Sequence, residues 1–111
     1  MDSTGCIVVL VTVSSREEGE RIATAVVGEE LAACVNIVGP IESIYRWDTQ
    51  VQHDQELLLI IKTRTALAGE LEARVRALHS YQTPEVIVLP ITSGSQKYLD
   101  WVQSATRACT A

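Results

Sequence analysis

Residues 34–63 read CVNIVGPIESIYRWDTQVQHDQELLLIIKT, and the folding of this segment decides the architecture. Cys34–Trp47 is rich in β-branched and aromatic residues and reads as one long strand. The pair Gly39-Pro40 interrupts it. Proline cannot donate to a ladder, so an edge, bend or bulge is expected there. Asp48–Asp54 is polar and turn-like, and Gln55–Thr63 carries the unbroken run Leu57-Leu58-Leu59-Ile60-Ile61. Two strands joined by a short polar segment read as a hairpin. A hairpin in mid-chain argues against an open parallel α/β sheet, the alternative architecture.

Working outward, Cys6–Val13 is a β-branched apolar run and a further strand. After it, Ser15 and Glu18 form the S-x-x-E pattern of a capping box, and Ile22, Ala23, Val26, Val27, Glu30 and Leu31 follow a helical rhythm. A helix is expected over about Ser15–Ala32. Beyond the hairpin, Thr63 or Thr65 can cap a second helix with the stripe Leu67, Leu71, Val75, Leu78. His79–Pro84 reads as a loop, Glu85–Ile91 as a strand, and Ser95–Arg107 as a short C-terminal helix. The order β-α-β-β-α-β-α predicts an α+β fold: a ferredoxin-like βαββαβ unit with an antiparallel sheet, two helices on one face, and a C-terminal helix. One domain is expected over residues 6–107, with disordered tails at 1–5 and 108–111.

The strands also bear on assembly. Ile7–Val11, Leu57–Ile61 and Val86–Leu89 are apolar at successive positions, and successive side chains point to opposite faces. Both faces of the sheet are therefore apolar, while two helices cover one. Either a homo-oligomer buries the second face, which is the favoured expectation, or the C-terminal helix folds over it.

Composition excludes several function classes. The chain has 111 residues with a formal charge of −5, which disfavours binding to phosphate backbones and so to nucleic acid. No apolar run reaches membrane-spanning length, and Met1–Gly5 carries no basic region of a signal peptide. Three cysteines, without a C-x-x-C, fit a reducing cytoplasm better than a disulfide framework.

Little points to enzymatic chemistry. Cys34 reads as a small core hydrophobe, and neither Cys6 nor Cys109 has a recognisable activating partner. The first strand-to-helix turn has no glycine with which to cradle a phosphate. Two histidines, His53 and His79, are too few for a closed tetrahedral metal site in one chain. His53 reads as a solvated loop residue and His79 as a helix C-terminal cap, although a metal site shared across an oligomer interface stays open. Tyr45-Arg46-Trp47 is an aromatic strand end of the kind that packs in interfaces. Glu42, Glu56 and Glu85 lie in otherwise apolar strands, as half-exposed residues or as partners of Lys62 or an arginine across a subunit boundary.

Five segments in order then resemble one family. Leu31-Ala32-Ala33-Cys34-Val35-Asn36, Ser43-Ile44-Tyr45-Arg46-Trp47, Glu56–Thr63, His79–Glu85 and Tyr98-Leu99-Asp100-Trp101 are similar to the motif series of the CutA family of divalent-cation tolerance proteins. The resemblance covers residues 6–104. It implies a trimer assembled through the sheets, a role in tolerance of copper and other divalent ions, and no catalytic residues. Some family members offer a copper site made of one cysteine and two adjacent histidines. Here Val11 and Leu78 stand at two of those positions, so His79 alone is carried over, toward a weakly bound copper or other divalent cation and no organic cofactor. By analogy with the PII-like proteins, a small-molecule or signalling module is the alternative, with an intersubunit cleft near Tyr45, Trp47, Glu56, Lys62 and Tyr81. Ser80 replaces the family's common proline, which should loosen that loop slightly.

Overall fold

The computed structural model describes residues 4–108. Strand β1 is Cys6–Val13, helix α1 Arg16–Gly28, β2 Cys34–Trp47, β3 Gln50–Arg64, helix α2 Ala68–Leu78, β4 Val86–Pro90 and helix α3 Gln96–Ser104, with a single 3-10 turn at Thr65–Leu67 before α2. The strands form one antiparallel sheet in the order β2-β3-β1-β4. This is the expected α+β, ferredoxin-like arrangement.

The hairpin is longer and tighter than its composition suggests. β2 and β3 pair from Cys34↔Lys62 out to Trp47↔Gln50, with a bulge between Val38 and Ile41 at the interrupting Gly39-Pro40. The turn is Asp48-Thr49 alone, both with positive φ (52° and 62°), as a two-residue hairpin turn of matching twist requires. The stretch from 50 to 54, expected in the turn, is therefore strand. The arm extends past the helices and stretches the molecule to 43 × 27 × 25 Å.

Alternation then sorts the side chains. Ile7, Val9, Val11 and Val13 of β1 and Leu57, Leu59 and Ile61 of β3 are buried beneath α1 and α2. They meet Ile22 and Val26 of α1 and Leu71 and Val75 of α2. Each such fully buried side chain contributes about 1.5–3 kcal/mol. At Gly19 helix and sheet nearly touch, since a Cβ there would lie 3.1 Å from Val13 Cγ2 and 3.3 Å from Leu59 Cδ2.

The opposite face carries Val8 and Leu10 of β1, Leu58 and Ile60 of β3, Val38 of β2 and Ile87 and Leu89 of β4, as the register dictates. Helix α3 covers one end of it, where Leu99 and Val102 pack on Cys6 and Ala33. The rest is uncovered: Val38, Ile87 and Leu89 are 42%, 44% and 45% exposed. So the C-terminal helix caps an end of the second face and leaves its centre open. Tyr98 and Trp101 of this helix point outward and pack on each other at 5.5 Å.

Other departures from the expected boundaries have local causes. Helix α1 stops at Gly28, well short of Ala32. Glu30 takes a left-handed φ of 62°, and the amides of Glu30 and Leu31 turn back to the carbonyls of Val27 (3.0 Å) and Val26 (2.9 Å). This is a Schellman closure with Leu31 buried against the core. Glycine is the favoured residue at that position, so Glu30→Gly is expected to raise the unfolding free energy by about 1 kcal/mol in urea titration. Neither Thr63 nor Thr65 caps α2. Pairing with β1 carries β3 on to Arg64, so Thr63 stays buried in the sheet and donates to the Leu31 carbonyl at 2.8 Å. Ser95 does cap α3, accepting from the Tyr98 amide at 3.4 Å.

Part of the expected N-terminal tail is also ordered. Thr4 bonds the Ile91 carbonyl, and Gly5 accepts from the Thr65 amide at 2.8 Å. Cys109, with the end of the expected C-terminal tail, lies outside the described residues.

Candidate functional site

The loop after α2 is fixed by a buried glutamate. Ser15 caps α1 by accepting from the Glu18 amide at 3.1 Å, as the capping pattern predicts. The Glu18 carboxylate, however, serves a distant partner. It accepts from the Ser80 amide at 2.6 Å, the Ser80 hydroxyl at 3.1 Å and the Ser14 hydroxyl at 3.1 Å, and lies 3.6 Å from the His79 ring. Burial pushes its pKa up, but the Ser80 amide, the Ser80 hydroxyl and the Ser14 hydroxyl hold it below the ordinary carboxylate value. Ser80, expected to loosen this loop, instead supplies two donors to the Glu18 carboxylate and ties the loop down.

His79 is buried, and both ring nitrogens are engaged. Nε2 lies 2.7 Å from the Thr12 carbonyl, and Nδ1 accepts from the Tyr81 amide at 3.0 Å. A carbonyl only accepts and an amide only donates, so this network assigns the proton to Nε2. A metal at either nitrogen would first have to displace a backbone group. Among the described residues no three His, Cys, Asp or Glu side chains are grouped so that they could hold a metal ion. The described side chains of one chain therefore do not fit a resident copper at His79.

What the loop positions instead is Tyr81. Its ring lies 4.7 Å from that of His79, and its hydroxyl donates to Glu56 Oε2 at 2.7 Å. Burial, and then the Glu56 carboxylate, push the Tyr81 hydroxyl well above its ordinary pKa, so it remains a donor. On the arm, Tyr45 donates to Asp54, and that bond raises the Tyr45 pKa as well. Between the arm and the loop lies a cleft of about 680 Å³.

Tyr45, Trp47, Glu56 and Tyr81, which the resemblance grouped at an intersubunit cleft, all line this cleft of the single chain. Lys62 does not. It stands opposite Cys34 near the far end of β3 and donates to Asn36. His79 lies behind the wall rather than in it. Asp54 is a wall residue that was not singled out, and Glu85, noted only as a carboxylate in an apolar strand, also lines the wall. A two-residue turn would have revealed Asp54, because strand alternation then puts it on the face of Glu56. His53 is an exposed strand residue, 3.9 Å from Glu42 on the arm. Among the described residues no helix is long and apolar enough to cross a membrane.

Comparison with known proteins agrees with this geometry. The CutA1 divalent ion tolerance protein family matches residues 7–105. A chloroplastic CutA protein of Arabidopsis thaliana is 57% identical over 101 residues, 91% of this chain and 56% of that protein. The divalent-cation tolerance protein CutA of Thermus thermophilus is 54% identical over 99 residues, 89% of this chain and 96% of its own length. The chain thus spans little more than half of the plant relatives it matches, 56% and 57% for Arabidopsis and rice. Among solved structures, CutA1 from Oryza sativa superposes with a TM-score of 0.90 at 53% identity, covering 95% of this chain and 98% of that one. The sheet order, the long bulged arm and these matches along nearly the whole described chain place it in the CutA1 divalent ion tolerance family.

Proposed function

We propose that the chain acts as a non-enzymatic homotrimer in tolerance of divalent metal ions such as copper, within a reducing compartment such as the cytoplasm. The observation that carries the reading is the uncovered apolar face around Leu10, Leu58, Ile60, Ile87 and Leu89. Such a surface in water is costly, and a second copy of the same face is its simplest cover. The Thermus relative bears the name divalent-cation tolerance protein, which supports the metal side. Since the described residues of one chain do not group three metal-ligating side chains, weak binding of a divalent cation is assigned to the boundary between subunits, where carboxylates of two chains can meet.

Calorimetric titration of Cu(II) and Zn(II) tests this reading in wild type, His79→Ala and a variant that does not assemble. Uptake is expected in the assembled wild type, little changed in His79→Ala and absent in the monomer. Uptake by the monomer, or none by the assembly, would contradict it. The cleft supports a second reading, a small-molecule module, because its volume lies within the range of ligand sites.

A further inference from the structure

We infer that Lys62 of one subunit pairs with the buried Glu56 carboxylate of the next, so that the acidic end of each open sheet face seats on the cationic end of its neighbour. The inference rests on the homotrimer reading and names the charge contact within it.

The open face is polarised along β3. Alternation from Leu58 and Ile60 places Glu56 and Asp54 on that face toward the arm, and Lys62 and Arg64 on it toward the opposite end. Glu85, just before β4, joins the two carboxylates in the same wall. Between the ends lie Leu10, Leu58, Ile60 and Ile87. Glu56 and Lys62 therefore flank the apolar centre evenly, about 20 Å apart by strand geometry.

Neither charge meets a counterion in its own chain. Glu56 is only 8% exposed, and its hydrogen-bond partner is the neutral Tyr81 hydroxyl. Lys62 is half-buried and donates to the neutral side chain of Asn36. Among the described residues none of the ion pairs includes either of them. Arg64, the other cation of this face, is taken up by the carbonyls of Thr106 and Arg107. Asp54 is exposed and holds the Tyr45 hydroxyl. Leu58 is the next residue of the face beside Glu56, and Ile60 the next beside Lys62. An assembly that covers these two apolar side chains also removes both charges from the water they still reach. A carboxylate and an ammonium desolvated apart are each strongly destabilising, and brought together they compensate.

The charges also choose among packings. Two faces laid in parallel register would set Glu56 on Glu56 and Lys62 on Lys62, which repel. Head-to-tail packing brings the opposite charges together. Such a contact is heterologous, and when it closes into a ring each subunit uses each end once, so every Glu56 finds one Lys62.

Charge reversal tests the pairing. Wild type, Glu56→Lys, Lys62→Glu and the chain carrying both substitutions are compared by sedimentation velocity over a concentration series, with far-ultraviolet circular dichroism on each sample. Each single reversal is expected to raise the concentration needed for assembly ~10-fold or more, and the double reversal to bring it back to within ~5-fold of wild type. Should a reversal not fold, Glu56→Gln, Lys62→Gln and their combination form a neutral cycle. The second substitution should then cost ~5-fold less after the first than alone. Single variants that assemble like wild type, or a double variant no better than the weaker single, would overturn the pairing and leave the homotrimer reading standing. A wild-type chain that stays monomeric would overturn that reading and the pairing with it.

Discussion

Glu18→Ala is expected to lower the unfolding free energy by about 3 kcal/mol at neutral pH. The side chain is buried and accepts from the Ser80 amide, the Ser80 hydroxyl and the Ser14 hydroxyl. Removing it strands those donors beside the buried His79 ring, and each unsatisfied buried group costs about 1–3 kcal/mol, reduced where water can enter. The effect carries a pH signature. The folded pKa of Glu18 lies below its ordinary value of 4.5, so its contribution is fully present above that value and is lost as pH falls through the lowered one. Wild type should therefore lose stability on acidification below about pH 4.5 more steeply than Glu18→Ala. Urea titrations at fixed protein concentration, from neutral to about pH 3, measure both quantities. A loss under about 1 kcal/mol, or identical acid profiles, would show that the loop is held by other contacts. Because Tyr81 follows the anchored Ser80, the same variant should also loosen the Tyr81–Glu56 wall of the cleft.

Ile60→Glu is expected to abolish assembly while leaving the subunit folded. Ile60 is a half-buried residue of the uncovered sheet face, paired with Leu10 on one side and Asn36 on the other. In the free subunit a glutamate there reaches water at little cost. In a face-to-face assembly it becomes an uncompensated buried charge, with a penalty of several kcal/mol for every subunit. Far-ultraviolet circular dichroism should match wild type, and the sedimenting species should fall to a single chain. A variant that assembles like wild type would show that the sheets do not meet at Ile60.

Most of the fold was legible because period and polarity agree with it along the chain. Cys6–Val13 and Cys34–Trp47 are bounded as their β-branched runs suggest, and the doubly apolar strands announced a face that the helices do not cover. The hairpin turn was hidden because Asp48-Thr49 lacks the glycine that usually marks positive φ. Five strand residues then looked like loop, and with them Asp54 dropped out of the site. The end of α1 was missed for the same reason, since Glu30 adopts a left-handed conformation that its type does not advertise. The role of Glu18 was not legible from local pattern, because its partner Ser80 lies 62 residues away. His79 was read from a motif as a ligand, whereas its neighbours in space, Thr12 and Tyr81, occupy both nitrogens.

The central proposal rests on the open sheet face: the working unit is several copies of this chain joined through their sheets. Multi-angle light scattering of the wild-type chain at micromolar concentration tests it most directly. A mass of three times the 12.1 kDa chain is expected. A homogeneous species of 12.1 kDa under those conditions would contradict it.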